Sequence, residues 1–387
     1  MSDAQTCGFD LSNWRTAPHN RQAFHRIGEL LPTAPVSRSS ERPSFLGPSD
    51  HGLQGFALQG RRGTTFDLEG FLKATATDAM IVLFRGEIAF EVYADGLGPA
   101  TPHILMSSTK AVMGLIAGVL EGRGLVNLDS PASDYVPEIL QTPYAAASLR
   151  HLLDMRCALP ADMSPPDDYY AAAGWAPAPR GSAGRGLHAF LESREGRRAA
   201  HGGPFRYVSC NTDLLGWALE RAAGRDISTL MADGLWRPLG AEHDALITLA
   251  PDGAPMCAGG LCATLRDFAR LGQMIADGGR QGDVQVLPHG LVGDLETGGD
   301  RSSWAAGDWG AAFRPLGAEM SYRSGWYAVH APAPLLFAMG VHGQNLFVDR
   351  RARVVVAKLS SWPAPFDQEA AVMTHRAVDE IVRVLTA

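Results

Sequence analysis

Strand-forming segments lie toward both ends of this chain, and the long stretch between them is patterned for helices. Residues 80–84 and 88–93 are β-rich runs on either side of Arg85-Gly86-Glu87, which predicts a β-hairpin. Further short strands are predicted at residues 335–341, 345–348 and 354–359. A sheet built from both ends of the chain leaves the middle as an insertion.

We therefore expect an α+β fold in which helices flank one antiparallel sheet and a mainly helical lobe is inserted. The predicted sheet domain comprises residues 1–106, which include an extended N-terminal arm, and residues 276–387. The predicted helical lobe comprises residues 107–275. A cleft between the two lobes is the expected place for a functional site.

Other segments complete this predicted architecture. Residues 23–31 predict a helix within the arm. From Val378 to Leu385, apolar residues at i, i+3, i+4 and i+7 predict a final helix that lies on the sheet. The proline- and glycine-rich loop 160–204 is too long for a plain connector, so we expect it to overhang the cleft.

The charge and hydropathy of the chain exclude several classes of partner. Its 387 residues carry a formal net charge of −7, and a pI near 5.9 provides no basic footprint for nucleic acid. No apolar run approaches the roughly 18 residues needed to span a bilayer. The first residues lack the basic start and apolar stretch of a secretory signal. We predict a cytoplasmic protein without nucleic-acid or membrane partners, for which a homodimer stays open.

The cysteines and histidines predict no metal site. The five cysteines show no Cys-x-x-Cys pair and no zinc-finger spacing, so we expect them to be reduced. Cys210 could be a reactive thiol, but buried structural cysteines are far commoner, and we favour that interpretation. The twelve histidines include no His-Glu-x-x-His and no tight cluster with aspartate. We predict no cofactor.

Ser107 and Lys110 form a Ser-x-x-Lys pair at the start of an apolar helix. Residues three apart share one helix face, so the lysine can reach the serine hydroxyl. A serine alcohol is a poor nucleophile until a base takes its proton, and a neutral lysine can be that base. Burial favours the neutral form, and the N–H groups of a first helical turn favour a developing oxyanion.

The alternative is a helix-capping serine followed by a solvated lysine, since the string alone occurs by chance. The residues that follow argue against it. From Ala111 to Leu120 the helix has almost no polar face, so it is predicted to be buried nearly all round. This pattern predicts that Lys110 is buried rather than free in water, and a buried lysine needs a reason.

The pattern resembles that of the serine hydrolases related to class C β-lactamases and penicillin-binding proteins. The resemblance covers nearly the whole chain and is carried by residues 107–110, 124–138, 148–155 and 258–272. Within that superfamily, the chain is most similar to the nylon-oligomer (6-aminohexanoate-dimer) hydrolases. That similarity is carried by residues 20–24, 205–217, 340–346 and 358–363.

The resemblance implies that Tyr207 heads the second motif, Tyr-x-Asn in many relatives and Tyr207-Val208-Ser209 here. In this family the tyrosine relays protons between the nucleophile, the lysine and the leaving group. Ser209 is then expected to orient the substrate or the lysine through a hydrogen bond. The alternative for Tyr207 is a packed core tyrosine before a helix.

The third motif, Lys-Thr-Gly in β-lactamases, aligns with Ala338-Met339-Gly340, so the cation that grips a β-lactam carboxylate is missing. The resemblance implies that the backbone N–H groups of Ser107 and Val341 form the oxyanion hole, because that role needs only backbone. His342 is expected either to line the cleft or to be a structural group, without a catalytic part.

Related nylon-oligomer hydrolases use a loop tyrosine and a nearby aromatic strand, which implies that Tyr169 or Tyr170 and Trp326 shape the substrate pocket. Aspartates of the loop could also meet a substrate ammonium, but a solvated role is favoured. Together these residues predict a hydrolase of small linear amides or carboxylic esters that acts through an acyl-enzyme on Ser107. The alternatives are a β-lactamase or D-amino-acid peptidase, and a catalytically silent binding scaffold.

Overall fold

The computed structural model describes residues 8–60, 63–160, 166–178, 185–194, 196, 200–316, 319–331 and 333–387. Its α-helices are α1 Asn20–Ala23, α2 Ile27–Leu30, α3 Leu68–Ala74, α4 Thr109–Gly122, α5 Leu149–Leu153, α6 Pro166–Ala172, α7 Gly186–Glu192, α8 Cys210–Ala223, α9 Ile227–Met231, α10 Leu265–Ala276, α11 Leu291–Thr297, α12 Arg301–Ala305 and α13 Gln368–Thr386. None of these helices within the described ranges is both long and apolar enough to cross a membrane.

The strands are β1 Thr33–Val36, β2 Leu58–Gln59, β3 Thr65–Phe66, β4 Thr77–Phe84, β5 Glu87–Tyr93, β6 His103–Ile104, β7 Ala245–Thr248, β8 Leu261–Ala263, β9 Arg280–Gln281, β10 Val284–Gln285, β11 Glu319–Arg323, β12 Trp326–Ala331, β13 Leu335–Gly340, β14 Gln344–Asp349 and β15 Val354–Ser360. Seven of them form one antiparallel sheet in the order β11-β12-β13-β14-β15-β4-β5. The predicted α+β fold, with one antiparallel sheet built from both ends of the chain, is confirmed.

The predicted hairpin of β4 and β5 is also confirmed, and its turn explains why it forms. Phe84 pairs with Glu87, so Arg85 and Gly86 are the only two residues of the turn. Both have positive φ, 54° and 88°, as a tight hairpin turn of right-handed strands requires. Glycine adopts that conformation without steric strain.

Strand β4 is buried on both faces, and its alternate side chains enter two different cores. Ile81 and Leu83 belong to the large core that contains α4 and α10, whereas Met80 and Val82 belong to the core that contains α3 and α13. This division follows from the two-residue period of a strand. The sheet is therefore a central layer with helices on both sides.

A second sheet, in the order β1-β7-β8-β6, was not predicted. Two of its strands, β7 and β8, lie within residues 107–275, the range predicted to form the mainly helical lobe. These strands span four and three residues, too few for a periodic signal. The predicted arm helix at 23–31 is also corrected, since the structure forms two short helices, α1 and α2, in its place.

Helix α4 is the centre of the large core. Every residue from Thr109 to Leu120 is buried, which confirms the prediction of a helix without a solvent face. Helix α10, within the predicted helical lobe, packs against β4, β14 and β15 of the main sheet. The division of the chain at residues 106 and 276 stays a prediction.

Candidate active site

Ser107 lies in a short 3₁₀ turn, Met106–Ser108, between β6 and α4. Strand β6 pairs with β8, and Ser108 Oγ donates a hydrogen bond to Gln344 O, so the turn is fixed on two sides. Met106 has φ 47°, in the left-handed region that residues with a side chain rarely adopt. Such strained residues concentrate at functional sites, where the surrounding structure holds them in place.

Lys110 is buried, 2 % exposed, one helical turn after Ser107. Its Nζ lies 3.1 Å from Ser107 Oγ, 3.4 Å from Ser209 Oγ and 2.6 Å from Ala258 O. The lysine therefore contacts the predicted nucleophile directly and is held by two further acceptors. These contacts rule out a lysine that extends into solvent.

Tyr207 is brought to the same place by the loop before α8. Lys110 Nζ lies 5.0 Å from the centroid of the Tyr207 ring. The ring stacks on Trp309, with centroids 4.3 Å apart and an interplanar angle of 20°. Ser209 precedes α8 at its N-cap position, and its hydroxyl is oriented toward Lys110. The structure thus brings Ser107, Lys110, Tyr207 and Ser209 together.

A buried aspartate supports the carbonyl that holds the lysine. Ala258 N donates to Asp213 Oδ1 at 2.9 Å, while Ala258 O accepts from Lys110. Tyr169 Oη donates to Asp213 Oδ2 at 2.5 Å. Burial raises the pKa of Asp213 to about 6, although the hydrogen bonds from Tyr169 and Ala258 N lower it. Sequence reasoning missed Asp213, because an aspartate on a helix usually indicates a solvated face.

The end of β13 approaches Ser107 through Gly340. A Cβ placed on Gly340 would lie 2.5 Å from Leu105 O and 3.0 Å from Ser107 N. Only glycine allows this approach of the two backbones, and it brings the next residue, Val341, to the cavity beside Ser107. This position of Val341 fits the predicted oxyanion hole, in which the backbone N–H groups of Ser107 and Val341 must face the same substrate oxygen.

Beside Ser107 lies a cavity of about 240 Å³. It is lined by Ser107, Tyr207, Trp309, Ala312, Phe313, Met339, Gly340, Val341, Trp362 and Phe366. Sequence reasoning missed its aromatic walls, because the segment around Trp309 and Phe313 has no periodic pattern. Larger cavities of about 500 and 370 Å³ lie beside the β12–β13 hairpin, but neither contains Ser107.

Tyr169 or Tyr170, together with Trp326, was predicted to shape the substrate pocket, and the structure places all three side chains elsewhere. Trp326 is fully buried in the large core, where its Nε1 donates to Ala111 O at 3.0 Å. Tyr170 stacks parallel to Trp175, and the guanidinium of Arg15 lies 3.8 Å from the centroid of its ring. We therefore correct these assignments, because none of the three side chains is among the described residues that line the cavity.

His342 is also corrected to a structural role. Its side chain is buried, its Nδ1 lies 2.7 Å from Trp362 O, and its ring packs edge-on against Phe24. Burial lowers the pKa of His342. The residue holds the chain after β13 against the segment that follows β15, and it is absent from the described lining of the cavity.

The described cysteines carry no catalytic geometry. Cys157, Cys257 and Cys262 are buried free thiols, Cys210 is buried with its Sγ 3.2 Å from Tyr144 Oη, and Cys7 lies outside the described residues. Burial raises the pKa of the Cys157 and Cys257 thiols. No group of His, Cys, Asp or Glu with metal-binding geometry occurs within the described part of the chain.

Comparison with known proteins identifies the family of the chain. Residues 68–379 match the family model named Beta-lactamase, which spans most of the chain. This chain belongs to the beta-lactamase family. The resemblance inferred from its motifs is thereby confirmed, and the chain is a serine hydrolase of this family.

The chain is also similar to individual known proteins. The chain is 35 % identical over 361 residues to a 6-aminohexanoate-dimer hydrolase of Paenarthrobacter ureafaciens, covering 92 % of this chain and 88 % of that protein. A solved structure of a candidate 6-aminohexanoate-dimer hydrolase from Bacillus anthracis matches 100 % of this chain and 99 % of its own, at 24 % identity and a TM-score of 0.88. EstCE1, a hydrolase with promiscuous acyltransferase activity, matches 80 % of this chain and 98 % of its own, at 17 % identity and a TM-score of 0.61.

Proposed function

We propose that this protein hydrolyses small amides or carboxylic esters through an acyl-enzyme on Ser107. The observation that carries the proposal is the 3.1 Å contact between Lys110 Nζ and Ser107 Oγ at the edge of the cavity. A base must lie within hydrogen-bond reach of the proton it abstracts, and this pair does.

In the proposed reaction, Lys110 is the general base. Its contacts with Ala258 O and Ser209 Oγ hold its Nζ beside the hydroxyl of Ser107. Ser107 Oγ attacks the substrate carbonyl as its proton passes to the lysine. The N–H groups of Ser107 and Val341 stabilise the oxyanion of the tetrahedral intermediate.

Collapse of this intermediate breaks the bond to the leaving amine or alcohol and forms the acyl-enzyme. Tyr207 protonates the leaving atom and takes up the proton that Lys110 received. Water then attacks the acyl carbonyl and gives a proton to the same pair of residues. The pair returns this proton to Ser107 Oγ as the bond between Oγ and the acyl carbon breaks, which releases the carboxylic acid and regenerates Ser107. The proximity of the Tyr207 ring to Lys110 Nζ, 5.0 Å, supports this relay.

A β-lactamase or D-amino-acid peptidase is the second candidate, and the cavity disfavours it. Both substrates present a carboxylate that relatives bind with the lysine of the third motif. Here Ala338 aligns with that lysine, the following residue Met339 lines the cavity, and no cationic side chain is among the described lining residues.

The test compares turnover of 4-nitrophenyl butyrate with turnover of a chromogenic cephalosporin by the wild-type protein and the Ser107→Ala variant. We expect rapid, Ser107-dependent ester hydrolysis and little cephalosporin turnover. Preferential cephalosporin turnover would support the second candidate. Stable acylation of Ser107 without turnover of either compound would instead indicate a silent binding scaffold.

A further inference from the structure

The cavity beside Ser107 is lined by uncharged side chains. None of the described residues that line it carries a formal charge at neutral pH, and the basic Lys110 lies behind Ser107 rather than in the cavity wall. A charged group that enters such a site loses its hydration without gaining an ion pair. The walls therefore favour uncharged substrate groups.

The walls are also flat and aromatic. Trp309 stacks on Tyr207 and lies nearly parallel to Phe313, with interplanar angles of 20° in both contacts. Phe366 extends this surface, with its ring centroid 6.4 Å from that of Phe313. Aromatic walls of this kind bind apolar chains and rings through buried area and stacking.

The volume limits the size of the bound group. An apolar cavity of roughly 150 Å³ is enough for one benzene molecule. The cavity here, about 240 Å³, has room for one aromatic ring with a short linker, or for an alkyl chain of about six carbons.

We propose that this cavity selects substrates with an uncharged apolar group next to the scissile carbonyl and rejects those with a charge at that place. The inference rests on the proposed function and names its substrate class. A linear 6-aminohexanoate dimer carries an ammonium at one end and a carboxylate at the other, so the cavity disfavours it. The class that fits is a neutral alkyl or aromatic ester or amide.

The test uses two pairs of esters that differ only in charge, one for each side of the carbonyl. On the acyl side, 4-nitrophenyl heptanoate is compared with 4-nitrophenyl 6-aminohexanoate, in which an ammonium replaces the terminal methyl group. On the leaving side, hexyl acetate is compared with 5-aminopentyl acetate. We expect the neutral member of at least one pair to have a kcat/KM roughly 100-fold higher, after correction for uncatalysed hydrolysis.

A matched pair of variants tests whether the cavity is the origin of the preference for neutral esters. Phe366 lines the cavity and is 43 % exposed, so Phe366→Asp adds a carboxylate at the rim without opening the core. It should reduce the preference for the neutral ester by about tenfold or more, because the carboxylate can pair with the substrate ammonium. Phe45 is 87 % exposed and is not among the described lining residues, so Phe45→Asp should leave the preference unchanged.

The outcomes separate this inference from the function on which it rests. Equal kcat/KM values within both pairs, or preference for the ammonium esters, would overturn the inference while Ser107-dependent hydrolysis stands. An equal shift of the preference by Phe45→Asp and Phe366→Asp would overturn it too, since the cavity would not be the origin. Absence of Ser107-dependent hydrolysis of every ester would overturn the proposed function itself.

Discussion

Replacement of Asp213 by asparagine should change how the stability of the protein depends on pH. Burial raises the pKa of this carboxyl from 3.8 to about 6 in the folded state. A folded-state pKa above the unfolded value means that the native protein binds the proton more tightly. The protonated carboxyl therefore stabilises the folded state, and this stabilisation is fully present below pH 3.8 and is lost as the pH rises through 6.

The size of the effect follows from that difference in pKa. Each pKa unit corresponds to about 1.4 kcal/mol, so ionisation of Asp213 costs the folded state about 3 kcal/mol by pH 8. Asparagine cannot ionise. Relative to the wild type, Asp213→Asn should therefore gain about 2–3 kcal/mol of unfolding free energy between pH 4 and pH 8. Loss of an acceptor for Tyr169 or for Ala258 N adds a cost that does not vary with pH.

The assay is guanidinium unfolding of both proteins at pH 4 and pH 8, with the difference in unfolding free energy compared between the two conditions. Asp95→Asn serves as the control, because it removes the same charge from an exposed turn. A difference that does not change with pH, or an equal change in the control, would refute the assignment of a buried carboxyl with a raised pKa.

Three further predictions follow from the structure. Tyr207→Phe should lower kcat for ester hydrolysis at least about 100-fold, because the phenol proton of the relay is removed; near-wild-type rates in a stopped assay would remove Tyr207 from the mechanism. Gly340→Ala should lower kcat/KM at least about tenfold and destabilise the protein by about 1–3 kcal/mol, because its Cβ would lie 3.0 Å from Ser107 N. Gly98→Ala is the control, because its Cβ would meet nothing within 4 Å. Equal behaviour of the two variants would contradict the close approach of the Gly340 backbone to Ser107. Burial lowers the pKa of His375 to about 4, so the neutral imidazole stabilises the folded protein fully above pH 6.5, and this stabilisation is lost as the pH falls toward 4. Thermal unfolding should therefore show that His375→Leu loses less stability than the wild type between pH 7.5 and pH 4.5. An equal loss in the two proteins would contradict this prediction.

The elements that the sequence predicted are those with strong apolar patterns. Strands β4, β13 and β15 are near-continuous apolar runs, and α4 lacks a polar face, so their burial follows from composition alone. The β11–β12 hairpin and the four-stranded sheet have mixed patterns and short strands. Their formation depends on tertiary contacts that a local window cannot contain.

The candidate site divides in the same way. Ser107 lies in the 3₁₀ turn that leads directly into α4 and Lys110 lies in the first turn of α4, so their contact follows from local helical geometry. The roles of Asp213 and Trp309 depend on chain segments that are distant in sequence. Trp326 was misplaced for a related reason: an aromatic residue in a strand enters a core or a cavity depending on what packs above it, and this one packs in the interior.

The most direct test of the account is intact-protein mass spectrometry after reaction with a serine-directed phosphonate, followed by peptide mapping. We predict a single adduct on the peptide that contains Ser107, absent from Ser107→Ala and retained in Ser209→Ala. An adduct on another residue, or an unlabelled wild-type protein that still hydrolyses 4-nitrophenyl butyrate, would contradict the assignment of Ser107 as the nucleophile.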